Sequence, residues 1–198
     1  MKFSTRRGFG TAIFLMLLCT SFFAASFGSV SAGGNTTPLA VGASAPDFSL
    51  TAHDGKTVKL SKGYGHAKTV IVFYRGSWCP FCVRQLSELR TLVQPGEHIN
   101  LYAVSVDPVE KSKALATKIA SDGKGEFNFQ ILSDPNHAVI DAWGVHDPAY
   151  DGKQFDGIPH PAIFILDKKG KIVWAKVEPD YKKRPTIAEL RAALEATK

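Results

Sequence analysis

Apolar positions along the chain fall into two kinds of run, and each kind predicts a different element. Val70-Ile71-Val72-Phe73-Tyr74 and the stretch from Leu101 to Val106 are nearly continuous, the pattern of strands covered on both faces, which predicts a sheet sandwiched between helices. After Pro80 the spacing turns helical: Cys82, Leu86, Leu89 and Val93 recur on one face until Pro95-Gly96 ends the pattern. Leu115 and Ile119 mark a second helix, introduced by Asp107 as N-cap, Pro108 at the first helical position and Glu110 as capping acid. Phe127 to Leu132 reads as the next strand. Asp134-Pro135 repeats the cap-and-proline start, with Val139, Ile140 and Trp143 apolar before Gly144 stops that helix.

Both ends of the domain read as hairpins. Val41 to Leu50 and Val58 to Leu60 are extended pieces around the Asp54-Gly55 turn, and Ala162–Leu166 faces Ile172–Val177 across Asp167-Lys168-Lys169-Gly170. Thr186-Ile187-Ala188-Glu189 then caps a last helix whose Ile187, Leu190 and Leu194 share a face. Strands alternating with helices predict an α/β domain over residues 39–198, preceded by a small polar linker at 33–38.

Residues 1–32 have a different pattern. A basic front of Lys2, Arg6 and Arg7, an apolar stretch from about Thr11 to Phe27, and the box Val30-Ser31-Ala32 predict an export signal cleaved before Gly33, and hence a periplasmic protein. Thr5-Arg6-Arg7-Gly8-Phe9 resembles the twin-arginine export signature, although Gly10 stands where a leucine is usual, so the general secretory route stays open. An uncleaved membrane anchor is the alternative, against which the stretch is short. Three of the 24 bases and none of the 18 acids lie in this leader, so cleavage lowers the net charge from +6 to +3. That excess is scattered, which argues against nucleic acid as a partner.

Cleavage also removes Cys19 and leaves Cys79 and Cys82 as the sole cysteines, spaced C-x-x-C. A loop this short gains little from a structural disulfide. With no second cysteine pair and no H-x-x-x-H, zinc is not expected either. The pair is therefore chemical: it stands where a buried strand gives way to a helix, whose free N–H groups and macrodipole stabilise a thiolate at the tip. This places Cys79 as the nucleophile and Cys82, on the inward face, as the resolving thiol. Trp78 is expected to shield the pair on one side.

Residues from Val41 to the C-terminus resemble the thioredoxin superfamily, and more narrowly the redoxins related to the alkyl hydroperoxide reductase and thiol-specific antioxidant family. The resemblance is carried by Gly42, Ala45-Pro46-Asp47-Phe48, Phe73-Tyr74, the Trp78-Cys79-Pro80-Phe81-Cys82 core, and Pro161-Ala162-Ile163-Phe164-Ile165-Leu166-Asp167 with Gly170. It implies a thioredoxin-like fold: a central mixed sheet with flanking helices, an N-terminal hairpin and an inserted helix and strand. It also implies a cis-proline at Pro161, which would bring His160 beside Cys79 and make both part of a substrate groove. The chain departs from the peroxiredoxin loop P-x-x-x-T-x-x-C, because aligning that cysteine with Cys82 puts Arg75 at the proline and Cys79 at the threonine; Pro161 stands where peroxiredoxins carry an arginine. Arg75 is the residue expected to compensate at a peroxide pocket.

Three functions follow as expectations. The first is dithiol-disulfide exchange with protein partners, through Cys79 and Cys82 and without a cofactor or metal. The second is a peroxiredoxin-like peroxidase acting on hydroperoxides, with Cys82 as the attacking thiol and Cys79 resolving. The third is a copper-binding assembly factor using the two thiolates and His160.

Overall fold

The computed structural model describes residues 37–197. The expected leader, its twin arginines, Cys19 and most of the expected linker lie outside the described residues. Seven strands form a single mixed sheet: β1 (Ser49–Ala52), β2 (Thr57–Lys59), β3 (Lys68–Phe73), β4 (Ile99–Ser105), β5 (Gln130–Ser133), β6 (Ala162–Leu166) and β7 (Ile172–Val177). Their order is β2-β1-β5-β4-β3-β6-β7. The β5, β4 and β3 neighbours run parallel, while β1 on one side and β6 and β7 on the other pair antiparallel. Among the described residues four α-helices cover the sheet: α1 (Pro80–Leu89), α2 (Val109–Ala120), α3 (Ala138–Ala142) and α4 (Ile187–Ala196).

The continuous apolar runs do lie between two layers. In β3, Val70 and Val72 face one side with Leu86, Leu89, Leu115, Ile119, Leu190 and Leu194 from α1, α2 and α4. Ile71 and Phe73 face the other, with Phe48, Ile140, Trp143 and Phe164. Alternate side chains point to opposite faces of a strand, so an apolar run without gaps is what two covered faces require. Phe73, Trp143 and Phe164 form a mutual ring cluster with centroids 5.1–6.0 Å apart.

The last helix starts as its sequence dictates, since the Thr186 hydroxyl accepts from the Glu189 N–H and the Glu189 carboxylate accepts from the Thr186 N–H. Two other helix starts differ from expectation. Asp107 is not the N-cap of α2: Pro108 holds that position without a side-chain cap, and the Asp107 carboxylate is turned elsewhere. α3 begins at Ala138, later than Asp134-Pro135 predicts, after His137 in the left-handed region (φ 46°). Asp134 still caps it from a distance, its Oδ2 accepting from the Val139 and Ile140 N–H groups at 3.0 Å each. Gly144 ends the element with φ 67°, and a side chain there would collide with the Thr37 carbonyl. The expected strand at Phe127–Leu132 is shorter, beginning at Gln130; Phe127 and Phe129 instead pack against each other ahead of it, their centroids 4.5 Å apart.

Pro161 is also a correction. Every peptide bond among the described residues is trans, so no cis-proline presents His160 to the thiols. The backbone around it is held extended by flanking segments, with His160 N–H donating to the Val145 carbonyl at 2.7 Å and the Pro161 carbonyl accepting from Glu178 N–H at 2.9 Å.

Candidate active site

β3 ends at Phe73, and the chain then leaves the C-terminal end of this interior strand through Tyr74 to Ser77 before α1 begins at Pro80. Gly76 is required in this segment: its φ is 149°, and an added Cβ would fall 2.5 Å from the Trp78 indole nitrogen. Asp107, 3 % exposed at the end of β4, fixes the same turn by accepting from the Ser77 N–H at 2.6 Å. The residue that the sequence pattern reads as a helix cap is thus an anchor for the cysteine loop.

Cys79 is the N-cap of α1, with Pro80 at the first helical position, where its missing N–H costs nothing. Both cysteines are free thiols, and both are buried. Only Cys79 lines the cavity above them, a space of about 300 Å³ bounded by Arg75, Trp78, Pro80, Phe81, Tyr150, Phe155 and Tyr181. The two thiols are driven apart in acidity. A hydrogen bond from the Cys82 S–H, the N–H of Cys82 and the charges of Arg184 and Arg75 together outweigh burial and hold Cys79 down to about 6, from an ordinary value of 9.0. Cys82 is pushed well up, first because its proton is the one donated to Cys79 and then by burial. Cys79 is therefore the more acidic thiol, and Cys82 holds the shared proton.

Arg184 is the residue that sequence reading missed. Its Nη2 lies 3.3 Å from the Cys82 Sγ, while Nε donates to Gln85 Oε1 at 2.8 Å and Nη1 to the Tyr181 carbonyl at 2.6 Å. In sequence it belongs to Lys182-Lys183-Arg184, a basic run that resembles any solvated turn. Tyr150 and Phe155 were equally silent, coming from the segment between α3 and β6. Trp78 does flank the site, stacked on Phe155 with centroids 4.1 Å apart, and it remains 41 % exposed.

His160 and Pro161 are not among the residues lining the cavity. The His160 imidazole faces Asp147, its Nδ1 3.7 Å from Oδ2. No cluster of potential metal ligands among the described residues joins the two thiols to this histidine. Among the described residues the groups with metal-ligand spacing lie elsewhere: His137, Asp141 and His146, and His146 with Asp151 and Asp156. Hydrogen bonds among them account for this arrangement, His146 Nδ1 meeting Asp141 at 2.7 Å and Nε2 meeting Asp151 at 2.6 Å.

A C-x-x-C pair at the tip of the helix after a central strand, with one thiol acidified and its neighbour buried, defines a thiol-based redox enzyme of thioredoxin-like fold. Known proteins narrow that class. The AhpC/TSA family model matches residues 41–175, and the chain belongs to that family. It is 34 % identical over 140 residues to peroxiredoxin Bcp of Escherichia coli (strain K12), covering 68 % of this chain and 83 % of that one. It is 33 % identical over 145 residues to alkyl hydroperoxide reductase E of Mycobacterium bovis, covering 71 % and 86 %. Among solved structures, a peroxiredoxin-like protein from Aquifex aeolicus shares the fold with a TM-score of 0.69 at 21 % identity, covering 81 % of this chain and 90 % of that one.

Proposed function

We propose that the chain is a thiol peroxidase that reduces organic hydroperoxides with Cys79 as the attacking thiolate and Cys82 as the resolving thiol. The observation that carries this reading is the acidified Cys79 at the base of a cavity walled by aromatic rings and Arg75, in a chain whose curated relatives are named peroxiredoxin and alkyl hydroperoxide reductase. The Cys79 thiolate attacks the terminal oxygen of the hydroperoxide, the O–O bond breaks, and the alkoxide leaves and takes a proton from water. Sulfur is oxidised to a sulfenic acid as the peroxide is reduced to an alcohol. The Cys82 sulfur then attacks the Cys79 sulfur, the S–O bond breaks, and the Cys82 proton departs with hydroxide as water. The resulting disulfide needs an external dithiol to restore both thiols.

Geometry favours Cys79 over Cys82 for the first step. A thiolate on Cys82 would sacrifice the hydrogen bond that stabilises Cys79 and would sit buried with no cavity of its own. Dithiol exchange with a protein partner is the second reading, favoured by Trp78 and Tyr181, which border the cavity at 41 % and 39 % exposure. Cys82→Ser separates the two, because it keeps a hydroxyl donor beside Cys79 but removes the resolving thiol. A peroxidase accumulates a dimedone-reactive sulfenic acid on Cys79 at one equivalent of cumene hydroperoxide. Mixed disulfides through Cys79 without sulfenic acid would support exchange instead.

The same proposal places the enzyme outside the cytoplasm, on the pattern of Lys2, Arg6, Arg7 and Val30-Ser31-Ala32. Intact mass of the exported protein should give a chain starting near Gly33. A product retaining Met1 would refute cleavage.

A further inference from the structure

Arg75 is a buried cation that acts on the Cys79 thiol but pairs with no carboxylate among the described residues. It is 4 % exposed, its Nε has no hydrogen-bond partner, and none of the ion pairs among the described residues includes it. Three aromatic rings hold the guanidinium instead: Tyr181, Tyr150 and Trp78, with centroids 4.6, 4.7 and 5.2 Å from Cζ. Contacts with ring faces offset part of the desolvation of the cation, but they leave the in-plane Nε–H without an acceptor. Arg75 and all three rings line the cavity over Cys79, and no acidic residue does. The other guanidinium at the pair, Arg184, is already spent on the Cys82 sulfur, Gln85 and the Tyr181 carbonyl.

We infer that this cavity is a carboxylate-reading subsite. The fork of Arg75 binds the carboxylate of a small organic substrate, whose apolar or aromatic body lies against the rings and whose reacting end meets Cys79. A planar fork of donors matches two carboxylate oxygens, and a guanidinium is the side chain that survives burial among aromatic faces while still presenting that fork. The selected substrate is a carboxylate-bearing hydroperoxide rather than a neutral one. This identity of the reacting group rests on the peroxidase reading, whereas the preference for a carboxylate does not.

Two measurements keep these apart. In the first, reduced enzyme is alkylated at Cys79 with iodoacetate and with iodoacetamide, and the ratio of rates is normalised to that of free cysteine. The ratio should favour the anion about tenfold, the worth of one charge-assisted hydrogen bond, and fall to about one in Arg75→Met and in Arg75→Gln. Because either variant disturbs the cage, the wild-type enzyme supplies its own control: 4-isopropylbenzoate should slow iodoacetamide labelling of Cys79, and its methyl ester should not. In the second, cumene hydroperoxide carrying a para-carboxylate is compared with the methyl ester of the same compound. Faster turnover of the acid, about tenfold in the wild type and lost in Arg75→Gln, is the expected result. Protection by 4-isopropylbenzoate with no reduction of either hydroperoxide would leave the subsite standing and overturn the peroxidase. Equal reduction of acid and ester, with no protection, would overturn the subsite and leave the peroxidase.

Discussion

Arg184 donates to the Cys82 sulfur at 3.3 Å across 102 residues of sequence, so the inner thiol of α1 is fixed by the turn that precedes α4. Its charge also lowers the pKa of Cys79, in concert with the Cys82 hydrogen bond. Thiolate reactivity at Cys79 should therefore rise with pH through a midpoint near 6, and Arg184→Met should move that midpoint upward. The measurement is iodoacetamide labelling of Cys79 against pH, read by mass spectrometry. An unmoved midpoint would show that the guanidinium does not act on the pair.

The largest contribution to Cys79 acidity is the hydrogen bond from the Cys82 side chain. Cys82→Ser keeps a donor and Cys82→Ala does not, so the two variants should differ in the size of the upward shift. The labelling midpoint of Cys79 in Cys82→Ala should lie above that in Cys82→Ser, which should stay close to wild type. Coincident profiles would assign the acidity to the helix terminus and the arginines alone.

His146 tests the wall of the cavity. Its ring is 6 % exposed and lies between Asp141 on α3 and Asp151 in the segment that carries Tyr150 and Phe155; His137 shares Asp141, and Asp156 stands nearby. Burial opposes the charged ring, but the bonds to Asp151 and Asp141 prevail and raise its pKa above 6.5. A group with a raised folded pKa stabilises fully below its unfolded value and loses that contribution as pH rises through the folded one. Thermal unfolding should accordingly show stability lost above about pH 6.5 in the wild type and a flatter profile in His146→Gln. A profile identical in the two would show that the His146 bonds to Asp141 and Asp151 add no pH-dependent stability.

Leu86 is fully buried on the face of α1 that packs on β3, in one cluster with both cysteines. Leu86→Ala should cost about 2–5 kcal/mol of unfolding free energy, from lost burial and the cavity left behind. Denaturant titration gives the value. A cost below ~1 kcal/mol would mean that α1 repacks freely, which is inconsistent with a thiol pair held by its helix.

Much of the scaffold was legible because its signals are local. Ala162–Leu166 and Ile172–Val177 form the closing hairpin with the bounds their apolar pattern predicts, and Thr186 with Glu189 forms the expected capping box. α1 starts at Pro80 with Cys79 at its tip as read. Asp107 illustrates the limit: the Asp-Pro-Val-Glu pattern is compatible with a helix cap, but the carboxylate gains a stronger role by accepting from Ser77 N–H on a neighbouring segment. Pro161 illustrates another, since a resemblance at the level of superfamily carries the position of a proline and not the isomer of its bond.

By itself the sequence determined which segments are strands and helices and where the reactive thiols stand, because side-chain periodicity and the tip of a helix act over a few residues. Tertiary structure alone decided what surrounds those thiols. Arg75 meets Tyr150 and Tyr181, and Arg184 meets Cys82, only once the segment after α3 and the turn before α4 fold back over α1. A cation in water, a cation among rings and a cation on a sulfur have the same one-letter code. Their chemistry differs through desolvation and distance, which the packing of remote segments sets.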